Sequence, residues 1–253
     1  MSPKAWLVLG AIAVTVTLAF GTFQVVSLLA RSTDETTTTF EAVRHLEIGN
    51  DAGRIRLRPS TDGTLRIERE VVRGLTKPSY SERREGDRLI VDAECRGPGM
   101  WCRVQLDVSV PAGVSVDASG GGGSVRADGL DAGLRLRSSG GGITVVASGP
   151  VLDLSSSGGS VSVEAAKARE IKARSSGGSV RIRSAVVPDT VDARSSGGSV
   201  TVEVPDGPTA YRVDASSSGG STRTEVRADP TSARRITADS SGGSVTVRYL
   251  SPT

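Results

Sequence analysis

The side chains that most often carry enzyme chemistry are scarce in this chain. Its 253 residues include one histidine, His45, and two cysteines, Cys95 and Cys102. The cysteines bracket Arg-Gly-Pro-Gly-Met-Trp, between two stretches of alternating apolar residues. In an exported chain that placement reads as a disulfide closing a hairpin. A metal or redox pair is the competing reading, and it lacks ligands. One histidine cannot complete a zinc set, and the spacing is not the two-residue one of zinc or thioredoxin motifs. Serine is abundant, yet no Gly-x-Ser-x-Gly elbow with a partner base is present. The glycine-rich stretches lack the lysine and helix of a phosphate loop. A calcium β-roll would need aspartate where these stretches carry serine. Aromatic platforms for sugars are few; Tyr80 and Trp101, near the cysteines, read as hairpin packing. The residues therefore predict no enzyme, no cofactor and no metal site.

What the serines and glycines do form is a repeat. A hexapeptide, in its plainest form Ser-Ser-Gly-Gly-Ser-Val, returns with its last residue at Val125, Ile143, Val161, Val180, Val200, Thr222 and Val245. The intervals are 18, 18, 19, 20, 22 and 23 residues, a period expected of a solenoid. Apolar residues stand seven and nine places before each mark, as Leu134 and Leu136 do before Ile143. Each unit thus reads as strand, Ser/Gly corner, strand. A corner repeated in register needs positive φ or close backbone approach, and glycine allows both. Three longer intervals, Val186 to Thr190, Val204 to Thr209 and Val226 to Arg235, contain proline and read as loops between rungs.

Stacking the units places residues at equal distance from the mark in columns roughly 4.8 Å apart. Eight places before the mark the column is Asp117, Arg135, Asp153, Lys172, Asp192, Asp214, Thr237, which reads as a charge-paired solvated face. One place after the mark it is Arg126, Thr144, Ser162, Arg181, Thr201, Arg223, Thr246. Within it Arg126, Arg181, Thr201 and Arg223 are the candidate ligand-facing surface, suited to an anionic wall polymer. Thr222 and Thr224 occupy inward columns that hold Val, Ile or Ala elsewhere, so two hydroxyls are expected inside an apolar stack.

Ahead of the repeats, Leu46 and Ile48 are expected to pair with Ile55 and Leu57 across the turn 49–53, while 73–87 reads as a charged loop. Val104, Leu106, Val108 and Val110 mark the clearest single strand. Residues 5–30 carry no charge and are long enough, as a helix, to span a bilayer. They read as a transmembrane signal-anchor with the N-terminus cytoplasmic; a leader cleaved after Ala19-Phe20-Gly21 is the competing reading. A net charge of +3 gives no case for a nucleic-acid partner.

Val-x-Val-Pro-Ala-Gly-Val (Val108 to Val114), followed by Ser/Gly-Gly rungs of this length, resembles the bacterial putative-adhesin family of β-strand repeat proteins, a family without a known function. The resemblance covers residues 40 to 249 and implies a β-solenoid on the cell surface or in the envelope. Relatives commonly place Asp or Asn where this chain has Ser after the glycines.

The expected fold is all-β: one transmembrane helix, an N-terminal β-hairpin region, then a β-solenoid of about seven rungs. The expected organisation is a cytoplasmic 1–4, anchor 5–30, polar spacer 31–39, lead-in strands 40–113 with the disulfide hairpin, and solenoid 114–250. The expected function is a non-catalytic, membrane-anchored extracytoplasmic binding or structural module, with a cell-wall polymer or surface protein as partner. The alternative is an accessory of an envelope-stress or anti-sigma-type system acting through its membrane helix.

Overall fold

The computed structural model describes residues 32–73, 78–95 and 102–250. They form twenty-one strands: β1 (Ser32–Phe40), β2 (His45–Asn50), β3 (Ile55–Pro59), β4 (Leu65–Arg73), β5 (Ser79–Glu85), β6 (Arg88–Glu94), β7 (Arg103–Val110), β8 (Ser115–Gly120), β9 (Val125–Asp128), β10 (Leu134–Ser138) and β11 (Ile143–Val146). There follow β12 (Val151–Ser156), β13 (Val161–Ala166), β14 (Glu170–Ser175), β15 (Val180–Ser184), β16 (Thr190–Ser195), β17 (Val200–Val204), β18 (Arg212–Ser217), β19 (Thr222–Glu225), β20 (Arg235–Ser240) and β21 (Val245–Tyr249). They lie in an 11-stranded sheet, β1-β4-β7-β3-β9-β11-β13-β15-β17-β21-β19, and a 10-stranded sheet, β18-β20-β16-β14-β12-β10-β8-β2-β6-β5. We call these the first and second sheets.

Each rung contributes one strand to each sheet. Alternation sets the inward side chains: Leu46, Val116, Leu134, Leu152, Ile171, Val191 and Ile236 stack in one buried column of the second sheet. Ile55, Val125, Ile143, Val161, Val180, Val200 and Val245 stack opposite them in the first. Full burial of such a side chain stabilises by about 1.5–3 kcal/mol, so this double stack is the main source of stability.

Three expectations are corrected. The expected fold carried a transmembrane helix; the described structure is wholly strand and turn, and none of its elements is long and apolar enough as a helix to cross a membrane. The expected span, 5–30, lies outside the described residues. The lead-in is not a hairpin region ahead of the solenoid. Residues 46–48 and 55–57 lie in different sheets, facing each other across the core, and β2 and β3 pair in parallel with β8 and β9. β6 and β7 stack in parallel outside β2 and β3, so the two pairs make two further rungs. Residues 79–85, expected in a loop, form β5, an antiparallel edge on β6. β1 and β4 close the first sheet at the same end, again antiparallel.

The stacking order also departs from sequence order. β20 and β21 lie between β16–β17 and β18–β19, so the sixth repeat, not the seventh, ends the stack. Charge favours this order at two positions, although it sets Arg235 beside Arg212 at a third. Sequential stacking would set Asp214 beside Asp192 and Glu225 beside Glu203, and like charges directly opposite destabilise a ladder. In the observed order Thr237 separates the two aspartates and Arg248 separates the two glutamates. The end position also resolves the threonine anomaly. Thr222 and Thr224 do face the inward columns, in register with Val245 and Val247, but among the described residues no rung lies beyond them and both are exposed. Solenoids end in polar capping repeats, and this is one.

Candidate functional site

The corner hexapeptide assigns each of its residues a separate task. Its first serine is buried and doubly bonded. Ser195 Oγ accepts from Gly198 N at 2.9 Å and donates to Gly178 O of the neighbouring rung at 2.8 Å. Ser138, Ser156, Ser175, Ser240 and Ser217 repeat both bonds. The second glycine is required by close approach rather than by φ. A Cβ on Gly198 would lie 2.5 Å from Ser179 N, and the same crowding recurs at Gly141, Gly159, Gly178 and Gly243. The last serine forms a ladder in which Ser160 Oγ accepts from Ser179 N, Ser179 Oγ from Ser199 N, and Ser199 Oγ from Ser244 N, each at 3.2 Å.

That leaves the second serine, and it points out. Ser157, Ser176, Ser196, Ser241 and Ser218 are exposed, one per rung along the axis. The backbone ladder fixes their sequence, with Ser176 N on Ser156 O, Ser196 N on Ser175 O, Ser241 N on Ser195 O and Ser218 N on Ser240 O. Beside them runs a column of Ser155, Arg174, Arg194, Asp239 and Ser216. Ser176, Ser196, Ser241 and Ser218, with the second column, line a groove of about 460 Å³. Its charges are internally paired: Arg174 meets Asp192 at 2.6 Å, and Arg194 meets Asp192 at 2.7 Å and Asp239 at 3.7 Å. Ser216 Oγ donates to Asp239 at 2.7 Å. The groove is polar, nearly neutral and repetitive. The buried serine of each corner spends its hydrogen bonds on backbone.

The face predicted from the sequence is assembled less continuously. Arg126, Arg181, Thr201 and Arg223 share one outward column of the first sheet, but Thr144 and Ser162 separate the first two. Thr201 and Thr246 separate Arg181 from Arg223. Arg126 is held by Asp128 at 2.8 Å and Arg223 by Glu225 at 3.5 Å. Arg181 is exposed, without an ion pair among the described residues. The next outward column holds the most buried charge of the face, Glu203, whose side chain is 3% exposed. Arg183 reaches it at 2.5 Å and Arg248 Nε at 2.9 Å. Burial pushes the Glu203 pKa up, and the two guanidinium groups overcome that and hold it below the ordinary carboxylate range.

Cys95 and Cys102 are bonded to each other, as their placement predicted. Trp101 lies outside the described residues. Tyr80 is partly buried, with the Arg69 guanidinium 3.8 Å over its ring and its hydroxyl on Glu82 at 2.5 Å, so it serves packing. Among the described residues no group of three or more His, Cys, Asp or Glu could hold a metal ion. The groove was missed in the sequence, although its signal was there: of three serines per corner, only two are needed to bind the turn.

A parallel two-sheet solenoid with an apolar interior and repeating polar columns outside is a scaffold built from stacked repeats. Residues 142–249, from the corner before β11 to the end of β21, match the family model described as Toastrack DUF4097. The adhesin-type resemblance read from the sequence agrees with this match. No curated protein matches the chain. Solved structures that are similar include a putative cell adhesion protein from Clostridium sporogenes, at 10% identity and TM-score 0.42, covering 87% of this chain and 100% of that one. A putative adhesin from Bacteroides fragilis is similar at 14% identity and TM-score 0.36, covering 86% and 97%. Another from Parabacteroides merdae is similar at 13% identity and TM-score 0.38, covering 87% and 97%.

Proposed function

We propose that this chain is a non-catalytic, extracytoplasmic binding module of adhesin type, which lays its solenoid along an elongated, hydroxyl-rich polymer of the cell envelope. The observation that carries the reading is the groove beside the corners. It offers one exposed serine hydroxyl per rung together with Arg174 and Arg194, whose charges are balanced in place by Asp192 and Asp239. A surface repeating every rung suits a repeating ligand, and balanced charge suits hydrogen bonding to neutral hydroxyls over attraction to a polyanion. The Cys95–Cys102 bond supports an oxidising compartment.

The test is retention of envelope polysaccharide and envelope protein fractions on the immobilised full chain. Polysaccharide is expected to be retained. Ser176→Tyr with Ser196→Tyr fills the groove without touching a buried serine, and retention should then be lost. Retention of neither fraction, or retention indifferent to the double substitution, contradicts the reading.

A further inference from the structure

The two strands that end the stack are left in different conditions. At β18, Tyr211 N donates to Arg227 O and Asp229 N donates to Tyr211 O, both at 2.9 Å, so residues 227–229 lie along the outer edge where that strand begins. At β19 nothing does among the described residues: its partner is β21 on one side only, and all four of its residues are exposed. Val245 N donates to Ser221 O, so alternate residues of β19 from Ser221 onward turn their backbone inward to β21. Thr222 and Thr224 therefore turn their N–H and C=O groups outward, the arrangement that templates another strand.

From this edge we infer that β19 pairs antiparallel with β19 of a second copy of this chain, about a two-fold axis through Thr224, joining two solenoids end to end through the first sheet. The occupant is identified by charge. Across an antiparallel pair, directly opposed side chains share a face. A register centred on Arg223 would oppose arginine to arginine, and one centred on Glu225 would oppose glutamate to glutamate. Centring on Thr224 sets Arg223 against Glu225 twice and opposes the outward backbone groups of the two Thr224 residues. The strand Thr222-Arg223-Thr224-Glu225 is thus complementary to itself in one register. A self-complementary patch is what an isologous, closed dimer requires, whereas a contact with a different surface would propagate into a filament. The inference does not depend on the proposed function. Paired display of two grooves would raise the avidity of a repeating surface.

The experiment places one new thiol on the full chain, where Cys95 and Cys102 are already bonded and no described cysteine is free. Thr224→Cys treated with a short thiol-to-thiol crosslinker should give a covalent dimer at micromolar protein. Ser162→Cys, outward on β13 in the middle of the same sheet, should not. Adding Arg223→Glu to Thr224→Cys sets like charges face to face and should lower the yield several-fold; adding Glu225→Arg as well should restore it. Arg223, Thr224 and Glu225 are exposed on the end rung and Ser162 points outward, and unchanged thermal melts would confirm folding. Absence of the dimer in Thr224→Cys, equal yield from Ser162→Cys, or a yield indifferent to charge would each overturn the inference.

Discussion

Replacing Glu203 by Gln probes how much charge pairing holds neighbouring rungs together. Glu203 on β17 accepts from Arg183 on β15 and Arg248 on β21, so it ties three neighbouring strands of the first sheet. Hydrogen bonds to charged groups contribute about 1.5–3 kcal/mol each. Both guanidinium groups are partly exposed, at 44% and 40%, and regain water when the carboxylate is lost. The expected loss is therefore about 2 kcal/mol, below the roughly 3–5 kcal/mol of a fully buried pair. Glu225→Gln, in the same column but on the exposed end rung, should cost about 0.5 kcal/mol or less. The pH dependence has a definite sign. The folded pKa of Glu203 lies below its unfolded value of 4.5. The unfolded chain takes up the proton first, so the contribution is complete above that value and fades as pH falls through the folded pKa. Urea melts followed by circular dichroism at neutral and acid pH would measure it. The gap between wild type and Glu203→Gln should be full at neutral pH and shrink in acid. A gap at neutral pH no larger than that of Glu225→Gln, or one unchanged in acid, would refute the reasoning.

The corners and the cap give three further expectations, measured by the same melts. Gly198→Ala should destabilise by about 3 kcal/mol or more, because the added Cβ meets backbone of the next rung; Gly133→Ala, with open space around it, should be nearly silent. Ser195→Ala removes one bond given and one received by a buried hydroxyl and should cost about 2 kcal/mol, while Ser196→Ala, exposed beside it, should stay within about 0.5 kcal/mol. Thr222→Val should be neutral, since the site is exposed, whereas Val200→Thr buries a hydroxyl at a fully covered position and should cost about 1–3 kcal/mol.

Much of this fold is legible in local pattern. The recurring hexapeptide marks the corners, and period-2 alternation marks the buried columns, because both are set within a single rung. What the pattern does not carry is the neighbour of each rung. Leu46, Ile48, Ile55 and Leu57 show the same alternation whether they form a hairpin or a rung, and only parallel pairing with β8 and β9 distinguishes the two. The order at the far end was encoded less openly. Asp214 and Glu225 would meet like charges beside Asp192 and Glu203, and Thr222 with Thr224 suit an exposed end. The candidate site was legible in part. Counting cations along the column of Arg126, Arg181 and Arg223 overlooked Asp128 and Glu225, two residues further on, which engage two of them. The groove depends on which of three serines is left free, and that emerges only when the corner's hydrogen bonds are traced.

The seventh repeat lies inside the sixth, and this neighbour identity can be read chemically. Thr201, Thr246 and Arg223 occupy one outward column, with Thr246 next to Thr201 and Arg223 one rung beyond. Neighbouring rungs are roughly 4.8 Å apart and second neighbours roughly twice that. Thr201→Cys with Thr246→Cys, treated with a thiol crosslinker that spans a single rung, should close an intramolecular link in the folded chain. Thr201→Cys with Arg223→Cys should not. The reverse result, a link to residue 223 and none to 246, would mean that the rungs stack in chain order and would contradict the account.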